Sequence, residues 1–121
     1  MATETDADAA RPADGPLAAL MERSLIDAYL DVFKALSDLT RIEILVRVAQ
    51  ADEYPCTALE QELSIGKSTI SYHVKILRNA GLIAVRKDGR HYHYRLRADV
   101  VDYFVPGFLG RILAERLNAA G

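Results

Sequence analysis

Residues 67–96 read KSTISYHVKILRNAGLIAVRKDGRHYHYRL, and two different periods meet inside this stretch. In its first half Ile70, Val74 and Leu77 recur at i, i+4 and i+7, the spacing of one face of an α-helix. That spacing predicts a helix from Lys67 to Asn79, stopped by Gly81 just past its end. With the three apolar residues facing a core, Ser68, Ser71, Tyr72, Lys75 and Arg78 are left on the outer face. From Ile83 the period shortens to two. Ile83 to Lys87 and Arg90 to Leu96 alternate, and the Asp88-Gly89 pair between such runs is the strongest short-range hairpin signal. Tyr92, Tyr94 and Leu96 share one face of the second strand; His91, His93 and Arg95 share the other.

Upstream of this stretch Ser64-Ile65-Gly66 reads as a tight turn. Before it Thr57 is expected to cap a short helix, with Glu60 as the second half of a capping box and Leu59 and Leu63 facing inward. Two short helices joined by a glycine-containing turn form a helix-turn-helix. Further upstream Ser37 or Asp38 offers an N-cap for a helix reaching about Ala51, with Leu39, Ile42, Leu45, Val46 and Ala49 as its buried stripe. Asp52 to Pro55 breaks that pattern. Pro55 lacks an N–H, so Tyr54 to Cys56 can be at most a short edge strand. From Leu17 to Leu36 apolar residues recur at helical steps, and Ile26, Ala28 and Leu30 widen the stripe beyond one face. A helix apolar on more than one side calls for a second partner, such as another subunit. Residues 1–15, rich in Ala, Asp and Thr, read as a disordered tail. Downstream, Asp99 to Ala120 is helical in pattern, with a kink or break expected at Pro106-Gly107.

A chain of 121 residues is one domain's length, here residues 16–121, and leaves no room for a two-domain enzyme with a large cleft. No apolar run is long enough to cross a membrane, and the acidic N-terminus lacks the apolar stretch of a secretory signal. The single cysteine, Cys56, cannot form an intramolecular disulfide, which fits a cytoplasmic protein. The formal net charge of −2 conceals a split: residues 1–63 carry −8, residues 64–97 carry +7, and residues 98–121 carry −1. A basic block between acidic flanks suggests a surface built to meet a polyanion; the competing reading is a solvated basic face. The block coincides with the predicted helix and hairpin, and that coincidence favours the first reading.

Helix, helix, helix-turn-helix, hairpin, helix is the order of a winged helix-turn-helix, a mainly α fold with a small β-hairpin. A helix fits the major groove of B-DNA and reads base edges with its outer face. That face offers Ser68, Thr69, Ser71, Tyr72 and His73, whose small polar groups allow a close approach. Lys67, Lys75 and Arg78 flank it and suit phosphates, while Arg86, Lys87 and Arg90 lie near the hairpin tip, within reach of the backbone or the minor groove. His73 stands as either a DNA contact or a structural residue. It cannot form a catalytic pair with Ser71, because residues two apart on a helix do not face each other. There is no metal triad, phosphate-cradling glycine loop or nucleophile elbow, so an enzyme is not expected. Two alternatives remain: a winged-helix module that binds protein, against which the basic block argues, and an atypical metal site at His91 and His93, which lack an obvious third ligand. Cys56 reads as a small buried hydrophobe.

Three segments resemble the ArsR/SmtB type of small bacterial winged-helix repressors. Phe33 to Leu45 (FKALSDLTRIEIL) resembles the opening of the family's second helix, with Leu39 where proline is usual. Lys67 to Leu82 resembles its recognition helix and the exit into the wing, and Gly89-Arg90 followed by Tyr94-Arg95-Leu96 resembles the wing's return strand. The resemblance covers Phe33 to Leu96 and implies a homodimeric repressor that holds a palindromic double-stranded DNA operator and leaves it on a signal. The signal is where the chain departs from familiar members. Pro55 and Thr57 occupy the positions of a metal-binding Cys-x-Cys, with Cys56 between them, and residues 98–121 lack the histidine of the zinc site on the last helix. Neither those metal sites nor a dithiol switch carries over. No cofactor is expected, and a small-molecule inducer would be of unknown identity. The surplus apolar surface of the first and last helices is expected to form the dimer interface. Pro106-Gly107 is read as a bent helix, with a ligand pocket as the sharper alternative.

Overall fold

Helix α1 spans Pro16–Leu36 in a computed structural model that describes residues 16–120 in backbone and residues 24–116 in side chain. The expected tail lies outside the described residues, as do the side chains of Leu17, Leu20 and Met21. The chain divides into two compact units at Leu30, and residues 31–121 hold the rest of the architecture. In the first unit Leu25, Ile26 and Leu30 of α1 are exposed.

Helix α2 covers Leu39–Val48. Of the two cap candidates it is Asp38 that serves: its backbone is extended and its Oδ1 accepts from the Arg41 N–H at 3.2 Å. Of the expected stripe Leu45 and Val46 are buried, and Arg41, Ile44 and Val48 complete the buried face in place of Leu39, Ile42 and Ala49. Leu39 is 73% exposed, and Ile42 and Ala49 are only half-buried. The reason is that the stripe's first slot holds an arginine, which an apolar pattern cannot show. The helix also ends before Ala51. The Gln50 N–H turns back to the Arg47 carbonyl (3.1 Å) and the Gln50 amide caps the Val46 carbonyl (3.1 Å).

Strand β1, Tyr54–Pro55, leads directly into helix α3, Cys56–Leu63. Pro55 sits at the cap position and makes no side-chain cap hydrogen bond, so Thr57 lies inside the helix and the expected Thr57–Glu60 capping box does not form. The strand brings the chain in at Pro55, two residues too early for Thr57 to cap. Helix α3 ends at Ser64, which adopts a left-handed conformation (φ 55°) without being glycine. After the turn, helix α4 spans Lys67–Asn79 with Ile70, Val74 and Leu77 buried, as the spacing predicts.

Strands β2 (Ile83–Asp88) and β3 (His91–Leu96) pair antiparallel from Ile83↔Leu96 to Asp88↔His91. β1 adds to the far side through Tyr54↔Tyr94, giving the order β1-β3-β2. The central position explains why Tyr94 is 2% exposed. Helices α5 (Ala98–Phe104) and α6 (Phe108–Ala120) are separated by the break expected at Pro106-Gly107, where Gly107 takes φ +80°. The core gathers Val32 and Ala35 of α1, Ile44, Leu45 and Val48 of α2, Leu59 of α3, the inner face of α4, Leu82, Ile83, Tyr94 and Val101. Among the described residues no helix is long and apolar enough to cross a membrane.

Candidate nucleic-acid interface

The inner face of α4 is fixed by burial, so its rotation about its own axis is fixed too. Ser68, Thr69, Ser71, Lys75 and Arg78 are all exposed, and Tyr72 is 61% exposed. The hairpin packs beside this helix. Between them runs a groove of about 350 Å³ lined by Ser71, Lys75, Arg78 and Asn79 from α4 and by Val85 and Tyr92 from the sheet, with Val74 and Tyr94 at its base. The outer face of the helix and one face of the wing therefore form a single surface.

Lys67, the first residue of α4, ties the two elements together. Its Nζ lies 5.2 Å from the centre of the Tyr92 ring and donates to the Arg90 carbonyl at 3.5 Å. Lys87 approaches the same ring, at 5.7 Å. Tyr92 thus has two ammonium groups against it. Arg90 stands in the two-residue hairpin turn beside Gly89 (φ +62°), which permits the reversal, and its exposed side chain has no ion-pair partner among the described residues. Lys75 and Arg78 are likewise exposed without an ion pair. Arg86 is different. Its Nε and Nη2 bind both oxygens of Glu53 at 2.9 and 2.8 Å, a bidentate pair that ties the wing to the residue preceding β1. The Arg86 guanidinium holds the Glu53 carboxyl below the usual range, so the pair is charged and mutually neutralised.

His73 is half-buried, and its Nδ1 meets Nη1 of Arg41 at 3.1 Å. It lies on α4 between the reading face and the core, and its ring packs edge-on against Tyr72 with centroids 5.2 Å apart. Arg41 and Glu53 were not singled out in the sequence. The signal for Glu53 was a carboxylate immediately before a short strand in the same sheet as an arginine-bearing one; nothing marked Arg41.

The wing histidines His91 and His93 border a small cavity of about 110 Å³ together with Cys56, Glu60 and Lys67. Cys56 is buried, and burial pushes its thiol above the ordinary range, as does Glu60, to which the Sγ donates at 3.7 Å. Burial likewise raises the Tyr94 hydroxyl, which lies against Cys56. Among the described residues no three His, Cys, Asp or Glu side chains are grouped closely enough to hold a metal ion.

A second polar network joins α6 to the helix-turn-helix. Arg116 binds Glu43 of α2, Glu43 accepts from Arg47 at 2.5 Å, Arg47 binds Glu62 of α3 at 3.0 Å, and Glu62 accepts from the Tyr54 hydroxyl at 2.6 Å. The hydrogen bond to Glu62 raises the Tyr54 hydroxyl.

A recognition-type helix, the helix before it across a tight turn, and a basic hairpin alongside define a winged helix-turn-helix. Residues 36–86 match the helix-turn-helix domain family. The chain is 43% identical over 90 residues to the uncharacterized HTH-type transcriptional regulator YceK of Bacillus subtilis (strain 168), covering 74% of this chain and 90% of that protein. It is 33% identical over 90 residues to the arsenical resistance operon repressor of Escherichia coli (strain K12), covering 71% and 69% of the two chains. Its fold superimposes on the solution structure of a homodimeric winged helix-turn-helix DNA-binding domain from Mycobacterium bovis, a possible ArsR-family regulator, with a TM-score of 0.65, 27% identity, and coverage of 88% and 90%. The chain belongs to the ArsR-type family of winged-helix transcriptional regulators.

Proposed function

We propose that this regulator is a homodimeric repressor that holds a palindromic double-stranded operator in the cytoplasm, with one α4 per half-site in the major groove. The observation that carries the reading is the continuous surface of α4 and wing, which exposes Lys75, Arg78 and Arg90 without ion-pair partners among the described residues. On it the roles divide by chemistry. Ser68, Thr69, Ser71 and Tyr72 offer hydroxyls and a ring to base edges and thymine methyls. Lys67, Lys75, Arg78, Lys87 and Arg90 offer charge to phosphates, and His73 offers one ring N–H. The dimer would use the apolar surface of α1, where Leu25, Ile26 and Leu30 are exposed in the single chain, together with α6. The protein acts without a metal: the lone Cys56 thiol is buried and its pKa is raised, which disfavours the thiolate that a soft metal requires.

Selecting bound DNA from a random pool tests this reading, and the enriched site should show two inverted half-sites about one helical turn, or a small multiple of it, apart. On that site Ser71→Ala and Tyr72→Ala should each cost about 1–3 kcal/mol while leaving random DNA nearly unaffected. Recovery of no enriched sequence, or equal losses on operator and random DNA, would refute it.

A further inference from the structure

We propose that Arg41 is a positioning residue for DNA binding: it fixes the His73 ring in one tautomer, so that Nε2–H is presented as a neutral donor to the operator. The inference rests on the reading of α4 as the helix that meets DNA.

Arg41 is only 7% exposed, which is unusual for a residue that stays charged. Its donors are spoken for on three elements. Nε donates to the Ala35 carbonyl at 2.9 Å and Nη2 to the Lys34 carbonyl at 3.1 Å, both in the last turn of α1. Carbonyls in that turn lack intrahelical partners and carry the negative end of the helix dipole, so a cation is favoured there. Nη1 points to Nδ1 of His73 on α4 at 3.1 Å. Asp38 adds a nearby carboxylate at 4.0 Å, and it remains ionised: burial raises it, but the Arg41 backbone N–H and the Arg41 charge bring it below its ordinary value.

A guanidinium in a protein only donates. The 3.1 Å contact therefore requires a lone pair on Nδ1, and neutral imidazole then carries its proton on Nε2. Nε2 has no partner among the described residues. The ring it belongs to also packs edge-on against Tyr72, which stands on the exposed face of the helix. One buried side chain thus couples the end of α1, the start of α2 and the middle of α4, and through His73 it orients two side chains at the DNA surface.

The test uses the full chain and five variants. In long-range proton–nitrogen spectra of the unbound protein, His73 should show a protonated Nε2 and a bare Nδ1, and Arg41→Lys, which lacks the planar fork, should turn this into a tautomer mixture. Arg41→Lys should lower operator affinity at least tenfold. In a His73→Ala background the same change should cost less than twofold more, because a residue acting through His73 is not additive with its loss. Should Arg41→Lys fail to fold, His73→Asn and His73→Gln carry the test. Asn retains an acceptor at the Nδ1 position but no outer donor, so it should keep the melting temperature and lose about tenfold in operator affinity. Gln lacks the near acceptor and should melt lower. A protonated Nδ1 in the wild type, a folded Arg41→Lys with unchanged affinity, additive losses, or wild-type affinity in His73→Asn would overturn the proposal. A wild type with the expected tautomer that recovers no DNA from a random pool would refute the DNA reading itself, separately from the Arg41–His73 contact.

Discussion

Arg86 and Arg90 lie on the same hairpin, yet their removal should affect the salt dependence of operator binding differently. Arg86 spends its fork on Glu53, at 2.9 and 2.8 Å, and brings no net charge to the wing. Arg90 is exposed and makes no ion pair among the described residues. Each phosphate neutralised on B-DNA contributes about −0.9 to the slope of log affinity against log salt. A dimer carries every substitution twice, so Arg90→Ala should flatten the slope by about 1.8. Between about 50 and 200 mM salt that difference amounts to roughly a tenfold smaller loss of affinity for the variant. Arg86→Ala should leave the slope within error of wild type. Glu53→Gln weakens the pair and frees Arg86, and should steepen the slope by up to about 1.8 if the freed fork finds a phosphate on each half-site. Fluorescence anisotropy of a labelled operator across a salt series reads all three. If Arg86→Ala flattened the slope as much as Arg90→Ala, Glu53 would be surrendering its partner on binding. If Arg90→Ala changed nothing, the wing would not be touching phosphate.

Four further outcomes are expected. Glu43 accepts from Arg116 and Arg47, which together outweigh burial and hold its carboxyl below the usual range. Its stabilisation is therefore fully present above about pH 4.3 and is lost as pH falls through the lower folded value, so Glu43→Gln should flatten the acid limb of a urea-midpoint-versus-pH curve. Leu77→Ala removes a fully buried side chain from the inner face of α4 and should cost about 2–5 kcal/mol in chemical denaturation. Leu30→Glu places a charge on exposed apolar surface of α1 and should convert a dimer to monomer in sedimentation at micromolar concentration without lowering helix content; a wild type that sediments as a monomer would end the dimer reading. Zinc, cadmium, nickel and arsenite should each change operator affinity less than about threefold, a coupling under about 0.7 kcal/mol, and a stoichiometric tenfold effect would direct attention to His91 and His93.

Much of the fold was legible because the deciding elements are strongly periodic. Ile70, Val74 and Leu77 placed α4 and its outer face, and Asp88-Gly89 placed the hairpin but not its register: Asp88 pairs with His91, so the turn residues are Gly89 and Arg90, with the positive φ supplied by Gly89. Local chemistry misled at two points. Thr57 looked like a cap, but β1 delivers the chain into α3 at Pro55, and strand pairing with β3 is not visible in a helix-cap signature. Leu39 looked buried because it stands at helical spacing from Ile42 and Val46, whereas the slot it was given belongs to Arg41. The same blind spot governs the site. A basic residue reads alike in sequence whether it is solvated, paired or buried, so Arg86, Arg90 and Arg41 were indistinguishable until Glu53, open solvent and the end of α1 were placed beside them.

The strand order β1-β3-β2 leaves the sheet with two open edges, and both are ill-suited to recruit a foreign strand. On one side the edge is two residues long, and one of the two is Pro55, which has no N–H to offer. On the other, β2 ends in Arg86-Lys87-Asp88, all exposed, so an approaching strand would have to desolvate three charged side chains before it gained a hydrogen bond. The residues that make the wing polar enough to lie on a nucleic acid thus also guard it against edge-to-edge polymerisation. A hairpin projecting into solvent is an obvious seed for cross-β growth. This one can stay extended and charged in a concentrated solution.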